Sequence, residues 1–394
     1  MKPLYNTFNL CSRNFDVFFR KIDNSLSKPQ INFLSDFFTS LLSSSSVTFD
    51  KLAIVLSHKY SDIKFDSILK RISRFLNNMN LNFHILFDKL IHYIFSNFKV
   101  KHLDHRIFVS FDHMFVKDKF TIFMLSLKVG KQGFPIFFKV FEGKNGEHFG
   151  DAFSIKLIKQ SLLYVHNLIK SFDPNINIVF LADRWFGNLF PLFDFINYEL
   201  CDSFVFRCKD NFKIFYQLKG ENHKIWTSIH DLPSLKYHST FFPNLEFTRK
   251  KYIYNLTICK SDDHKQRWFL ISNIDPTKAK KFYGYRFGGI ETIFKNQKTN
   301  GFYLEKTGIK HLHAFDNLYS LLCLSLCYCI GLGTYVSKNS SSYKDLGFRT
   351  TRKNNNGKLI RIVSLFQTGL KLFKLALNSP KYYKLPFNFI LYDT

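Results

Sequence analysis

The chain has 394 residues, room for two or three domains at ~150 residues each and for a sizeable core. A hydrophobic content of 46% with 22% charged residues excludes a disordered chain. The 56 Lys and Arg against 30 Asp and Glu leave a formal charge of +26, which calls for a polyanionic partner and favours nucleic acid.

Residues 1–100 read as helices. Phe49, Leu52, Ala53 and Leu56 fall at helical spacing behind Thr48, a candidate N-cap, and Phe65, Ile68, Leu69, Ile72, Phe75 and Leu76 continue the pattern. Lys70, Arg71 and Arg74 gather on the opposite face of that second helix. Two short helices with a basic second one are compatible with helix-turn-helix DNA binding, though this stretch by itself slightly favours a small bundle bearing a solvated basic face. The serine run from Ser40 to Ser46 is expected to be a loop.

From residue 106 the period changes to that of strands. RIFVSFD (106–112), KFTIFMLSLKV (119–129) and FPIFFKVFEG (134–143) are three apolar runs, the last two joined by GKQG (130–133), which predicts an antiparallel meander. An amphipathic stretch (149–169), a buried strand INIVFLAD (176–183), a helical 188–199 and the strand SFVFRCK (203–209) follow. This order predicts a mixed α/β fold with helices covering a sheet. Residues 210–275 return to short strand-like runs, and the chain is helical again from about 276 to 335. A polar, basic loop (338–358) precedes a last helix, 365–377.

The seven cysteines are odd in number, contain no C-x-x-C and have no His pair at zinc-finger spacing, so no zinc site is expected. The N-terminal residues lack the apolar core of a signal peptide. A reducing, cytoplasmic setting is expected. Asn317 to Ser337 is 21 residues without a charge, long enough to cross a bilayer. Its Ser, Cys, Tyr and Gly content and the lack of flanking anchors favour a helix buried in a large domain, and no membrane partner is expected.

Three carboxylates stand out. Asp112 ends the first apolar strand and Asp183 ends INIVFLA; strand ends in an open α/β sheet form the ligand crevice. Glu291 lies in KKFYGYRFGGIETIFKNQKTNGFYLE (280–305), where Glu291 and Lys298, seven apart, would share a helix face. Three carboxylates can hold two divalent cations ~3.5–4 Å apart for phosphodiester cleavage, and Mg²⁺ suits oxygen ligands. Glu142, Glu147 and Asp151 are rival carboxylates, in a segment that looks like a turn and helix start.

DHMF (112–115), LADRWFG (181–187), FRCKDN (206–211) and the pattern Y-x-x-R-x-x-x-x-E-x-x-x-x-x-x-K (283–298) resemble the DDE transposases of the IS4 group of bacterial insertion sequences. The resemblance covers most of the chain. It implies an RNase H-like mixed sheet with covering helices, interrupted by a β-rich insertion and preceded by a helical DNA-binding region. The corresponding parts are 1–100 (helix-turn-helix-like), 101–210 (first part of the catalytic core), 211–275 (β-rich insertion) and 276–394 (rest of the core and C-terminal helices). It further implies Asp112, Asp183 and Glu291 as catalytic ligands of two Mg²⁺ ions, with Mn²⁺ able to substitute. Tyr283, Arg286 and Lys298 would contact DNA ends, and Arg184, Arg207 and Lys209 would line the DNA path.

The implied activity is cleavage at the element's terminal inverted repeats and transfer of the 3′-OH ends into target DNA by a homodimer on DNA. Another RNase H-like nuclease, or an inactive transposase-derived DNA-binding protein, is the alternative. One departure stands out: Arg286 and Glu291 are five apart where the family has four. A regular helix would then turn them ~140° from each other. Gly288 and Gly289 could absorb this as a bulge or helix break. Trp185 and Trp268 are candidates for stacking on a base or for the core.

Overall fold

The computed structural model describes residues 2–96, 106–143, 153–217, 223–233, 239–261, 266–339, 351–353, 357, 359–361 and 363–379. Glu147, Asp151 and most of the 338–358 loop lie outside the described residues.

The N-terminal region is helical: α1 (Lys2–Ile22), α2 (Lys28–Ser44), α3 (Phe49–Ser57), α4 (Phe65–Leu76) and α5 (Phe83–Ser96). The serine run differs from expectation, since α2 continues to Ser44. Leu41 and Leu42 are fully buried, and Thr39 and Ser40 bond the carbonyls four residues back, so these side chains use the helix instead of breaking it. Thr48 sits at the N-cap of α3, but its hydroxyl contacts Ser46 and caps no backbone N–H.

The sheet has ten strands in the order β3-β2-β1-β4-β5-β10-β9-β8-β6-β7. β1 (Arg106–Val116), β2 (Phe120–Val129) and β3 (Gln132–Glu142) form the antiparallel meander, with Gly130 at a positive φ of 57° in its second turn. After α6 (Ile155–Phe172), capped by the Ser154 hydroxyl, β4 (Asn177–Ala182) joins β1 in parallel. α7 (Phe190–Asp194) runs into a π-helical turn, and β5 (Ser203–Cys208) joins β4, again in parallel. β6 (Lys213–Gln217), β7 (Lys224–Ser228), β8 (Thr240–Phe247), β9 (Tyr252–Lys260) and β10 (Arg267–Ser272) extend this same sheet, because β10 pairs antiparallel with β5. The β-rich segment therefore continues the sheet edge. β7 was not anticipated; KIWTS is only five residues long and holds just two apolar side chains, Ile225 and Trp226.

Two packed layers follow from strand alternation. On one face, Phe111 meets Phe123, Phe186 and Phe206, and Phe193 of α7 meets Phe204 and Phe206, within one large core that runs on into the helices. The other face carries a smaller core of Val179, Leu181, Val205, Trp268 and Leu270, covered by Ala279, Phe282 and Tyr283 of α8 (Pro276–Gly284). α9 (Ile290–Lys295) follows α8 after a five-residue turn.

The apolar stretch around 317–337 is helix α10 (Leu312–Lys338), the one helix among the described residues long and apolar enough to cross a membrane. It is packed inside the fold instead, with 89% of its most apolar window buried, against α5, β3 and α11 (Leu365–Asn378). Asn317 ties it to the α4–α5 connection by donating to the Leu76 and Leu81 carbonyls and accepting from Phe83 N–H. β11 (Thr351–Lys353) and β12 (Leu359–Arg361) form a separate hairpin.

Candidate active site

Parallel pairing brings the two aspartates together. Ser110 of β1 is opposite Leu181 of β4, an offset of 71; two residues further along the same register stand Asp112 and Asp183. The first strand, expected to end at Asp112, runs on to Val116 because residues 113–116 keep pairing with β2, so Asp112 lies inside its strand and Asp183 alone lies at a strand end. Both follow the strand period onto the face that carries Leu181, the face covered by α8. Main-chain donors orient them. Asp112 Oδ1 accepts from His113 N–H at 2.8 Å, and Asp183 Oδ1 accepts from Trp185 N–H at 2.7 Å in the turn after β4.

Glu291 reaches this pair from the helical side. Residues 285–289 form the turn between α8 and α9, so the Gly288–Gly289 pair sits at a helix break. The turn docks on the β2–β3 hairpin, where a Cβ on Gly133 would lie 2.4 Å from the Gly289 carbonyl oxygen. Gly133 N–H also donates to Thr292 Oγ1 at 3.2 Å. Because the chain leaves helical geometry here, residues five apart meet. Arg286 Nη1 donates to Glu291 Oε1 at 2.7 Å, and its Nη2 donates to Asp112 Oδ2. Arg286 is only 4% exposed, while the Glu291 side chain is 43% exposed.

Burial pushes the Asp112 carboxyl up to about 6; Arg286 opposes this, and the charges of Asp183 and Glu291 reinforce it. Glu291 is also raised, by burial first, with Arg286 pulling down and Asp183 pushing up. Burial works against the Arg286 charge, but Asp112, Tyr283, Glu291 and Asp183 together outweigh it and hold the guanidinium protonated. The three carboxylates thus sense one another with one cationic side chain among them. Three hard oxygen donors suit Mg²⁺ or Mn²⁺ in kind. In position they do not yet form a ligand set: among the described residues no three His, Cys, Asp or Glu side chains stand close enough to hold an ion.

Asp112 and Asp183 open onto a cleft of about 960 Å³. Its basic wall is Arg184, Arg207, Lys209 and Arg267; its aromatic wall includes His113, Phe153 and Trp185. His113 stacks between Phe153, at 4.1 Å, and Phe186, at 5.4 Å. Trp185 is 47% exposed, whereas Trp268 is a core residue against Tyr283 and Phe287. Arg207 donates to Gln266 Oε1 at 3.2 Å.

The remaining expected residues fall elsewhere. Tyr283, expected at the DNA, is 1% exposed in the small core, with burial pushing its hydroxyl up to about 12. It packs behind the site and presents no surface to a partner. Lys298, expected to stack above Glu291, lies in a π-helical turn (Asn296–Asn300) and pairs with Glu305 at 2.8 Å. The wider turn breaks the seven-residue stacking that a regular helix would give. Lys70, Arg71 and Arg74 are exposed on α4, with Arg71 resting over the rings of Phe33 and Tyr60.

Arg267 and Phe153 had not been singled out. Arg267 has a traceable signal: Phe269 pairs with Cys208, and the register carries Arg267 to a position opposite Asp210 at the cleft.

No family model matches the chain, and no curated protein does. Among solved structures, the chain is similar to a piggyBac transposase, in the cryo-EM structure of its synaptic complex with hairpin DNA. The identity is 14% and the TM-score 0.45, over 98% of this chain and 82% of that one.

Proposed function

We propose that the chain is a DNA transposase of the IS4-like DDE type, with an RNase H-like catalytic sheet. It would bind the terminal inverted repeats of its element, cut there and transfer the 3′-OH ends into target DNA, acting as a homodimer on DNA in the cytoplasm. One observation carries the reading: the 71-residue offset of the β1–β4 register sets Asp112, inside β1, beside Asp183, at the carboxyl end of the neighbouring parallel strand β4, with Glu291 joined to Asp112 through Arg286. The strand order, three antiparallel strands followed by two parallel ones, supports an RNase H-like sheet.

Asp112, Asp183 and Glu291 would hold two Mg²⁺ ions, or Mn²⁺ in their place. When bound, such ions supply the positive charge that activates an attacking oxygen and stabilises a leaving one. The chain's own residues do the rest. Arg184, Arg207, Lys209 and Arg267 give the cleft a cationic wall for the phosphate backbone. Trp185 offers an exposed ring beside Asp183 for stacking. The basic face of α4 offers a second surface for duplex DNA.

The test uses purified protein, a labelled fragment of the element end and a target plasmid, with Mg²⁺ or EDTA. Asp183→Ala should lose cleavage by on the order of 10³-fold or more, the scale on which placed charge stabilises a transition state, while keeping end binding. Cutting that survives in this variant overturns the ligand assignment. Products that are cut but never joined would mark a nuclease. A second reading has its own footing in the Arg286 bridge: a transposase-derived protein that binds DNA and no longer cuts it, which wild-type binding without any cleavage would show.

A further inference from the structure

We propose that Arg286 is a built-in counter-ion that holds Asp112 and Glu291 together in the place a divalent cation would take, so that cation binding requires the guanidinium to withdraw. This rests on the reading of the three carboxylates as a metal site.

The geometry is that of a cation shared between two anions. Two different guanidinium nitrogens donate to two different carboxylates, one from a strand and one from a helix. The side chain is 4% exposed, and its Nε is buried without a hydrogen-bond partner. A guanidinium packed for structure alone normally satisfies that third donor direction, because a buried unpaired N–H is costly. Here the charge pairing fixes the group and Nε goes unpartnered.

Each Asp112 oxygen already accepts a hydrogen bond, Oδ1 from the His113 N–H and Oδ2 from Arg286. Among the described residues no carboxylate trio stands close enough to hold an ion, and the guanidinium lies between Asp112 and Glu291. The turn at 285–289 makes the bridge possible, since a regular helix would hold Arg286 and Glu291 on different faces. The turn is itself held by main-chain bonds three residues back, Arg286 N–H to Tyr283 and Gly289 N–H to Arg286, so the side chain can change partners without the backbone giving up any of them.

Competition of this kind lowers apparent affinity by the fraction of molecules in which the site is open. The prediction is read without DNA and without activity. Mn²⁺ binding to the full-length chain would be measured by isothermal titration for wild type, Arg286→Gln, Arg286→Lys and Asp183→Ala. Arg286→Gln should bind Mn²⁺ about tenfold tighter or more, as expected when a site open in at most ~10% of molecules loses its competitor. Arg286→Lys, which keeps the charge, should stay closer to wild type, and Asp183→Ala should lose binding.

Unchanged or weaker binding in Arg286→Gln, with binding still dependent on Asp183, overturns the counter-ion role and leaves the metal-site reading standing. Binding in no variant, or binding indifferent to Asp183, overturns the metal-site reading and this inference with it. Should Arg286→Gln fail to fold, the wild type decides. The side-chain Nε–H resonance of Arg286, assigned through Arg286→Lys, should shift on saturation with Mg²⁺; a resonance that stays put overturns the proposal.

Discussion

The two arms of the candidate site are held in contrasting ways. Asp112 sits inside β1, four residues before its end at Val116, and Asp183 directly follows β4; both strands are paired on both sides within a ten-stranded sheet. Glu291, Arg286 and Lys298 sit on a segment that breaks twice, at the 285–289 turn and at the π turn after Lys295. Strand register transmits position rigidly, since a slip of one residue would turn every side chain to the other face. A broken helix transmits position only through whatever each break docks against. The strand arm should therefore be intolerant of small changes, and the helical arm should tolerate them except at Arg286.

The largest effect is expected where the strand arm is tightest. A Cβ on Gly187, in the turn after Asp183, would lie 2.1 Å from the Arg207 carbonyl oxygen and 2.7 Å from Cys208 Cα. Both are main-chain atoms of β5, which is fixed between β4 and β10 and cannot yield cheaply. Gly187→Ala should lower stability by about 1–3 kcal/mol, the usual cost of overpacking, read as a lower denaturation midpoint. Gly284, near the end of α8, is the helical counterpart, and a Cβ there meets nothing within 4 Å. Gly284→Ala should be neutral or stabilising by up to about 1 kcal/mol from helix propensity alone. Equal losses in the two variants would remove the contrast.

The same contrast governs what the amino-acid sequence made legible. Two apolar runs each reaching an Asp, at 112 and 183, made both carboxylates legible as candidates, while their juxtaposition depends on the parallel β1–β4 pairing that the fold supplies. Helix α10 was legible as buried because its apolar positions cover every side and nothing anchors it at an interface. The partners of Arg286 and Lys298 were not legible. Periodicity extrapolates through a segment only while the turn stays regular, and here the Gly288–Gly289 break and the π turn each change the rotation per residue. Tyr283 illustrates a further limit: a polar tip in a motif says nothing about burial until the strands beneath α8 are in place. Arg267 depends on the β10–β5 pairing, which joins residues 61 apart at Phe269 and Cys208, a non-local contact that no local pattern encodes.

A smaller effect is expected along the cleft wall. Arg184 is exposed and Arg207 half-buried beside Asp183, and both face the cleft. Each should contribute to backbone binding without sequence preference. Arg184→Ala and Arg207→Ala should each weaken DNA binding roughly equally on specific and unrelated duplexes. Each should also make the slope of log affinity against log salt shallower by about 0.9. A loss confined to the element's own end would instead mark base readout.

The smallest effect is expected at Lys298, and it separates the arms most sharply. As a phosphate ligand stacked over Glu291, Lys298 would change the salt slope by the same amount as the cleft arginines. The structure engages it with Glu305 at 2.8 Å, both side chains partly exposed, in a turn whose width carries it out of line with Glu291. An ion pair of that kind contributes at most about 1 kcal/mol to stability. Lys298→Ala should accordingly leave the salt slope unchanged within error and shift the denaturation midpoint only slightly, and Glu305→Gln should reproduce that shift. A slope that falls by a full contact in Lys298→Ala, but not in Glu305→Gln, would mean that the π turn rewinds on DNA. The helical arm would then be assembled by its ligand, while the strand arm stands ready without it.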